Sequence, residues 1–218
     1  MPPELVIFDC DGVLVDSEPL SNQTIKDALD GMGINKSLAE VMGMFVGKSM
    51  TQVAAKVRAM GSAMPGTDRE WIDSIYAATY ARLREGVDPI PGVVSVLDAL
   101  DAAGVPYCVA SNGSDEKMDI TLGNTGMAQR FKGKRFSAHT LGVSKPDPEL
   151  FFVAAKYMGV APGRAVVIED SSSGALGAKR AGMRCFGYAP EGGKALEEVG
   201  AQVFRSMDNL PALLGLEE

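Results

Sequence analysis

Apolar positions in this chain fall into short continuous runs, separated by stretches where they recur at helical spacing. Leu5-Val6-Ile7-Phe8 has no polar member and reads as a strand buried on both faces. Tyr107 to Ala110 and Ala165 to Ile168 read the same way, and Cys185 to Gly187 is a further candidate. Between the first run and the second the rhythm changes. Residues 17–86 hold no strand-like run, and Ile25, Ala28, Leu29 and Met32 form one helical stripe. Val53, Val57 and Met60 form a second stripe, and Ile72, Ile75, Thr79 and Leu83 a third. Ser37 with Glu40, Ser49 with Gln52, and Thr67 with Glu70 have capping-box spacing.

Asp88-Pro89-Ile90-Pro91-Gly92 then makes a stiff return. Beyond it, strands alternate with helices. Val93, Val96, Leu97 and Leu100 mark a helix ended by Gly104, and Asp147-Pro148 signals the start of another, striped by Phe151, Ala154, Ala155 and Met158. The alternation predicts a doubly wound, mainly parallel α/β sheet built from residues 1–16 and 87–218, with residues 17–86 as a helical insert.

Composition narrows the field. A chain of 218 residues, 46% hydrophobic, suits one large domain or a core with a smaller insert. A net charge of −7 argues against nucleic-acid or anionic-membrane partners. No apolar stretch has the length of a membrane helix, and Asp9 interrupts the only N-terminal run that could resemble a signal segment. A cytoplasmic protein, monomeric or weakly dimeric, is the expectation. Cys10, Cys108 and Cys185 are odd in number and widely spaced, so they read as reduced core residues. The lone His139 reads as a surface-loop residue.

Candidate chemistry sits at the ends of the apolar runs. Asp9 and Asp11 follow the first, at the i, i+2 spacing that would aim both side chains into one crevice, with Cys10 turned to the opposite face. Gly12 then frees the backbone to leave the strand. Ser111 and Asn112 follow the second run, Lys145 precedes a helix, and Glu169-Asp170 end the third run before Ser171 opens a helix. Alone, each has a plain alternative as turn, cap or solvated charge.

Taken in order, these segments resemble the haloacid dehalogenase (HAD) superfamily. Asp9-Cys10-Asp11-Gly12-Val13-Leu14-Val15-Asp16-Ser17-Glu18 is similar to the first motif of its phosphatase branch, Ser111-Asn112 to the second, Lys145-Pro146-Asp147-Pro148 to the third and Glu169-Asp170-Ser171 to the fourth. The resemblance is nearest to the helical-cap subfamily that includes β-phosphoglucomutase-like and 6-phosphogluconate phosphatase-like members. It implies hydrolysis of a small phosphate ester through an aspartyl-phosphate on Asp9, with Asp11 as general acid and then base. It further implies Mg²⁺ held by Asp9, Asp11 (through its main-chain carbonyl), Glu169 and Asp170. Ser111, Asn112, Lys145, Gly12 and Ser17 would hold the phosphoryl group. The helical insert would be a cap that closes over the site, and its Lys48 would contact substrate.

A cation is also what the electrostatics ask for. At ~4 Å and an effective dielectric of ~20, each carboxylate–phosphate charge pair costs roughly 4 kcal/mol. That would slow attack about a thousandfold.

Three other readings compete. Haloacid dehalogenases need no second acid, so Asp11 counts against them. Sugar-phosphate mutases of the subfamily carry a histidine where this chain has Ser21. Phospho-aspartate receivers, which are not enzymes, lack a helical insert and carry their acceptor aspartate in mid-chain.

Overall fold

The computed structural model describes residues 2–45, 49–61 and 64–216. It holds one six-stranded sheet: β1 (Leu5–Phe8), β2 (Tyr107–Ser111), β3 (Arg135–Ser137), β4 (Ala165–Glu169), β5 (Arg184–Tyr188) and β6 (Gln202–Phe204). The spatial order is β3-β2-β1-β4-β5-β6, and every neighbouring pair is parallel. The apolar runs became the inner strands. The edge strands β3 and β6 were not legible in the pattern, because Arg-Phe-Ser and Gln-Val-Phe are each only three residues long.

Two compact units make up the chain, one of Met1–Asp16 with Asp88–Glu218 and the other of Ser17–Val87. The second unit holds α1 (Glu18–Gly31), α2 (Leu38–Phe45), α3 (Met50–Ala59) and α4 (Asp68–Glu85) around Ile25, Leu29, Val41, Phe45, Val53, Val57, Trp71 and Ile75. All three capping boxes form: Glu40 accepts the Ser37 N–H at 2.8 Å, Gln52 the Ser49 N–H at 3.0 Å and Glu70 the Thr67 N–H at 2.8 Å.

The first unit holds the sheet with α5 (Val93–Ala102), α6 (Asp115–Asn124), α7 (Ala138–Leu141), α8 (Glu149–Tyr157), α9 (Ser172–Arg180), α10 (Lys194–Val199) and α11 (Leu210–Leu213). Leu5, Ile7, Cys108, Ala110, Ala165 and Val167 face α8 and α9, while Val6, Phe8, Val109, Val166 and Ile168 are buried as well. Sheet burial on both faces is what makes these strands unbroken apolar runs, each large side chain contributing about 1.5–3 kcal/mol. The exit and return of the chain are tied within this unit, where Asp16 N–H donates to the Asp88 carbonyl at 2.9 Å and Ile90 N–H to the Leu14 carbonyl at 3.0 Å.

Two local expectations need correction. Helix α8 begins at Glu149 and not at Pro148, because the Asp147 carboxylate accepts the Glu149 N–H at 2.9 Å. His139 is exposed as expected, but it lies in the single turn of α7, which Ser137 caps. All three cysteines are free and buried. Among the described residues no helix is long and apolar enough to cross a membrane.

The strand order locates the crevice. From β1 the chain builds outward through β2 and β3, then returns to place β4 on the other side of β1. Loops leaving the carboxyl ends of β1 and β4 therefore diverge, and in such sheets the crevice between them takes ligands.

Candidate active site

Asp9 follows β1 directly, and its N–H donates to the Ile168 carbonyl at 2.9 Å, which keeps it in register with the sheet. Lys145 reaches it from the loop before α8. The Lys145 ammonium donates to Asp9 Oδ1 and, at 2.5 Å, to Glu169 Oε1. This trio is dry: side-chain exposure is 2% for Lys145, 10% for Asp9 and 1% for Glu169. Asn112 secures the lysine from behind, its Oδ1 accepting the Lys145 N–H at 2.9 Å.

The other oxygen of Glu169 is also engaged. Its Oε2 accepts the N–H groups of Asp170 (3.1 Å) and Ser171 (2.9 Å) and the Ser171 hydroxyl (2.8 Å). Ser171 is in turn the N-cap of α9, accepting the Gly174 N–H at 3.0 Å. A Cβ on Gly174 would stand 1.8 Å from Glu169 Oε1, so the buried carboxylate requires glycine in this first helical turn.

Burial pushes the Asp9 carboxyl from 3.8 up to about 7, with Lys145 opposing and the charges of Glu169 and Asp11 adding to the rise. Burial alone would pull the Lys145 ammonium down, but Asp9 and Glu169 together hold it above its ordinary value. One cation thus serves two buried carboxylates, and Asp9 remains short of positive charge.

Asp11 is placed differently. The i, i+2 alternation of an extended strand is not what aims it, because β1 ends at Phe8 and the chain turns. Leu14 and Val15 N–H groups both donate to the Cys10 carbonyl, at 2.9 and 3.0 Å, and Gly12 has φ +78°. A Cβ on Gly12 would lie 2.2 Å from Asp170 Oδ2, so this glycine serves both the turn and the close approach of Asp170. Within this turn, Asp11 Oδ1 pairs with the Lys117 ammonium at 2.7 Å, with side chains 26% and 18% exposed. Cys10 is buried with its Sγ 3.8 Å from the Thr121 hydroxyl, and burial raises its thiol.

Ser111 ends β2 and is buried. Its hydroxyl accepts the Gly113 N–H at 3.0 Å, and the Ser137 hydroxyl donates to the Gly113 carbonyl at 2.7 Å. A Cβ on Gly113 would lie 3.3 Å from Ser111 Oγ, 3.4 Å from Lys117 Cδ and 3.7 Å from Asp11 Oδ2, so these three groups surround one glycine.

The structure therefore gathers Asp9, Asp11, Gly12, Ser111, Asn112, Lys145, Glu169 and Asp170 at the carboxyl ends of β1, β2 and β4. Ser17 is buried at the start of the helical unit, as the residue before α1. Lys48 lies outside the described residues. Sequence reasoning gave no role in the site to Lys117 or Gly174, and read Ser171 as opening a helix. Gly174 did carry a signal, since a glycine in a helix works against propensity and asks for a packing reason.

The donor set suits a hard divalent cation. Four carboxylates (Asp9, Asp11, Glu169, Asp170) meet two ammonium groups (Lys145, Lys117), a local net charge of −2. Among the described residues no three His, Cys, Asp or Glu side chains form a ready metal cluster.

A family model described as haloacid dehalogenase-like hydrolase matches residues 3–182. A 6-phosphogluconate phosphatase of Escherichia coli (strain K12) is 33% identical over 213 residues, 96% of this chain and 94% of its own. Among solved structures, a conserved haloacid dehalogenase-like protein from Agrobacterium tumefaciens str. C58 aligns with a TM-score of 0.85 at 33% identity, covering 97% of each chain. A HAD family hydrolase from Deinococcus radiodurans R1, solved with bound phosphate and sodium, aligns with a TM-score of 0.83 at 32% identity, covering 99% of this chain and 97% of that one. The chain belongs to the haloacid dehalogenase-like hydrolases, in their phosphatase branch.

Proposed function

We propose that this enzyme hydrolyses small phosphorylated metabolites, sugar phosphates or phosphorylated sugar acids, through a covalent intermediate on Asp9. The observation that carries this is the buried Lys145 bridge, which holds Asp9 by Oδ1, and we take Oδ2 as the attacking atom. In the first step Asp9 forms a bond to phosphorus as the ester P–O bond breaks, and the leaving oxygen takes a proton from Asp11. In the second step Asp11 accepts a proton from water, which attacks phosphorus and releases inorganic phosphate and the Asp9 carboxylate. The Ser111 hydroxyl and the Asn112 N–H donate to phosphoryl oxygens, and Gly12 lets the backbone approach.

The residues that would hold Mg²⁺ are Asp9 and Asp170, with the main-chain carbonyl of Asp11, and its charge offsets the repulsion between carboxylate and phosphate. Glu169 was expected beside them, and its Oε1 keeps a lone pair for that role while its hydrogen bonds also fix Lys145 and the start of α9.

6-Phosphogluconate is the first substrate to test, on the strength of the relative that acts on it. A mutase is disfavoured by Ser21, whose hydroxyl donates to the Ser17 carbonyl at 3.0 Å and offers no imidazole. The test is a panel of phosphorylated metabolites with phosphate release counted per chain, alongside acid-quench trapping of a labelled acyl phosphate. Many turnovers, a trapped intermediate and an inert Asp9→Asn variant support the reading. One phosphate retained per chain would point to a receiver, and an isomerised product without phosphate release to a mutase. Lys48→Ala tests specificity: it should weaken a phosphorylated sugar acid by about 1–3 kcal/mol and spare acetyl phosphate.

A further inference from the structure

We propose that Lys117 is a positioning residue for Asp11, fixing the direction in which the acid of the first motif presents its carboxyl group. The inference rests on the reading of Asp11 as general acid and base.

Three observations carry it. β1 ends at Phe8, so Asp11, three residues on and just ahead of Gly12, has left the sheet and no strand alternation orients its side chain. The Lys117 ammonium binds Asp11 Oδ1 at 2.7 Å, while Oδ2 lies on the side of Gly113 and Ser111. Lys117 is itself well anchored: its N–H donates to the Ser114 N-cap hydroxyl at 3.2 Å in the first turn of α6. The loop leading to α6 is held by Ser111, by Ser137 and, through Asn112, by Lys145. The framework that fixes Lys145 on Asp9 therefore also fixes Lys117 on Asp11. Each acid of the first motif meets a different lysine, Asp9 one from the loop before α8 and Asp11 one from the first turn of α6.

A lysine is a point charge on a flexible stem, yet here its helix and the stapled loop limit where that charge can stand. An acid that must meet a leaving oxygen in line needs such a restraint, since displacement by about 1 Å costs on the order of a hundredfold in rate.

The test compares Lys117→Met, Lys117→Arg and Asp11→Asn on two phosphate esters, one with an alkyl leaving group and one with p-nitrophenolate. The alkyl ester needs a well-placed proton donor, whereas the nitrophenolate leaves without one. Lys117→Met should lose about 10–100-fold in kcat/KM on the alkyl ester and less than about 3-fold on the nitrophenyl ester. Lys117→Arg should recover most of the loss, because it restores a cation to Oδ1. Circular dichroism of each variant separates a folding defect from a positioning one.

Equal losses on both esters, or no loss on either, would overturn the proposal. So would failure of arginine to rescue a folded protein. Asp11→Asn separates the layers. If it shows the leaving-group dependence and Lys117→Met does not, only the positioning role falls. If Asp11→Asn is itself indifferent to the leaving group, the general-acid reading falls and this inference with it.

Discussion

Two ion-paired groups stand side by side at the carboxyl ends of the central strands, built from the same chemistry and buried to different depths. Lys145 with Asp9 and Glu169 is nearly dry, its side chains 2%, 10% and 1% exposed. Lys117 with Asp11 keeps 18% and 26% of its side-chain surface in water. In the dry group, desolvation outweighs attraction, so Asp9 is held well above an ordinary carboxyl although an ammonium touches it. In the wet group, solvent screens the pair and leaves geometry as its main product. In the function proposed, burial, not the identity of the charges, separates a group that tunes a nucleophile from one that aims a proton donor.

Removing Lys145 should break the contrast most severely. Lys145→Met leaves Asp9 and Glu169 facing each other without a cation, and loss of one partner from a buried set costs about 3–5 kcal/mol. Chemical denaturation should show that loss, along with turnover near background. A variant that keeps wild-type stability would mean that the trio is hydrated in solution.

The next effect is pH-dependent. The folded pKa of Asp9, about 7, exceeds its ordinary 3.8, so between those values the folded chain holds a proton that the unfolded chain has released. Stability without added cation should therefore fall as pH rises through that window, by up to ~4 kcal/mol, and be indifferent to Asp9 below it. A cation that binds ionised Asp9 should offset this loss. The gain in Tm on adding Mg²⁺ should thus be larger at about pH 8 than at about pH 5. An equal gain at both would remove Asp9 from the set that holds the metal.

Gly174→Ala reaches the dry group through its support. The new Cβ would meet Glu169 Oε1 at 1.8 Å, so the carboxylate must move and Lys145 with it. A loss of about a hundredfold in kcat, with a smaller change in KM, is expected. Wild-type kcat would show that Glu169 can shift without disturbing Lys145.

The smallest expected effect sharpens the contrast from the wet side. Lys117→Met should change stability by less than about 1 kcal/mol, the usual worth of a partly exposed pair. A loss comparable to that of Lys145→Met would erase the distinction between the two groups.

Much of the scaffold could be read from short stretches. The inner strands β1, β2 and β4 are apolar on both faces because the sheet is covered on both, so they stand out as unbroken runs. The capping boxes at Ser37, Ser49 and Thr67 are contained within four residues each. Asp9 and Glu169 were candidates for the same local reason, acids where apolar runs end, while Lys145 precedes a helix and became one through the order of the four motifs. Strands β3 and β6 escaped notice because a three-residue edge strand has no period to detect.

Sequence alone determined the positions of the inner strands, the caps, and the charged residues at strand ends, because each depends on neighbours only a few residues away. Which lysine meets which acid was decided by tertiary structure alone. Lys145 and Asp9 are 136 positions apart, and their contact exists because β4 returns beside β1 while Asn112 on the β2 loop grips the Lys145 backbone. Lys117 and Asp11 meet only because α6 follows β2 on the other side of β1. Coulombic attraction and desolvation act across space, and no spacing along the chain records the depth at which two charges come to lie.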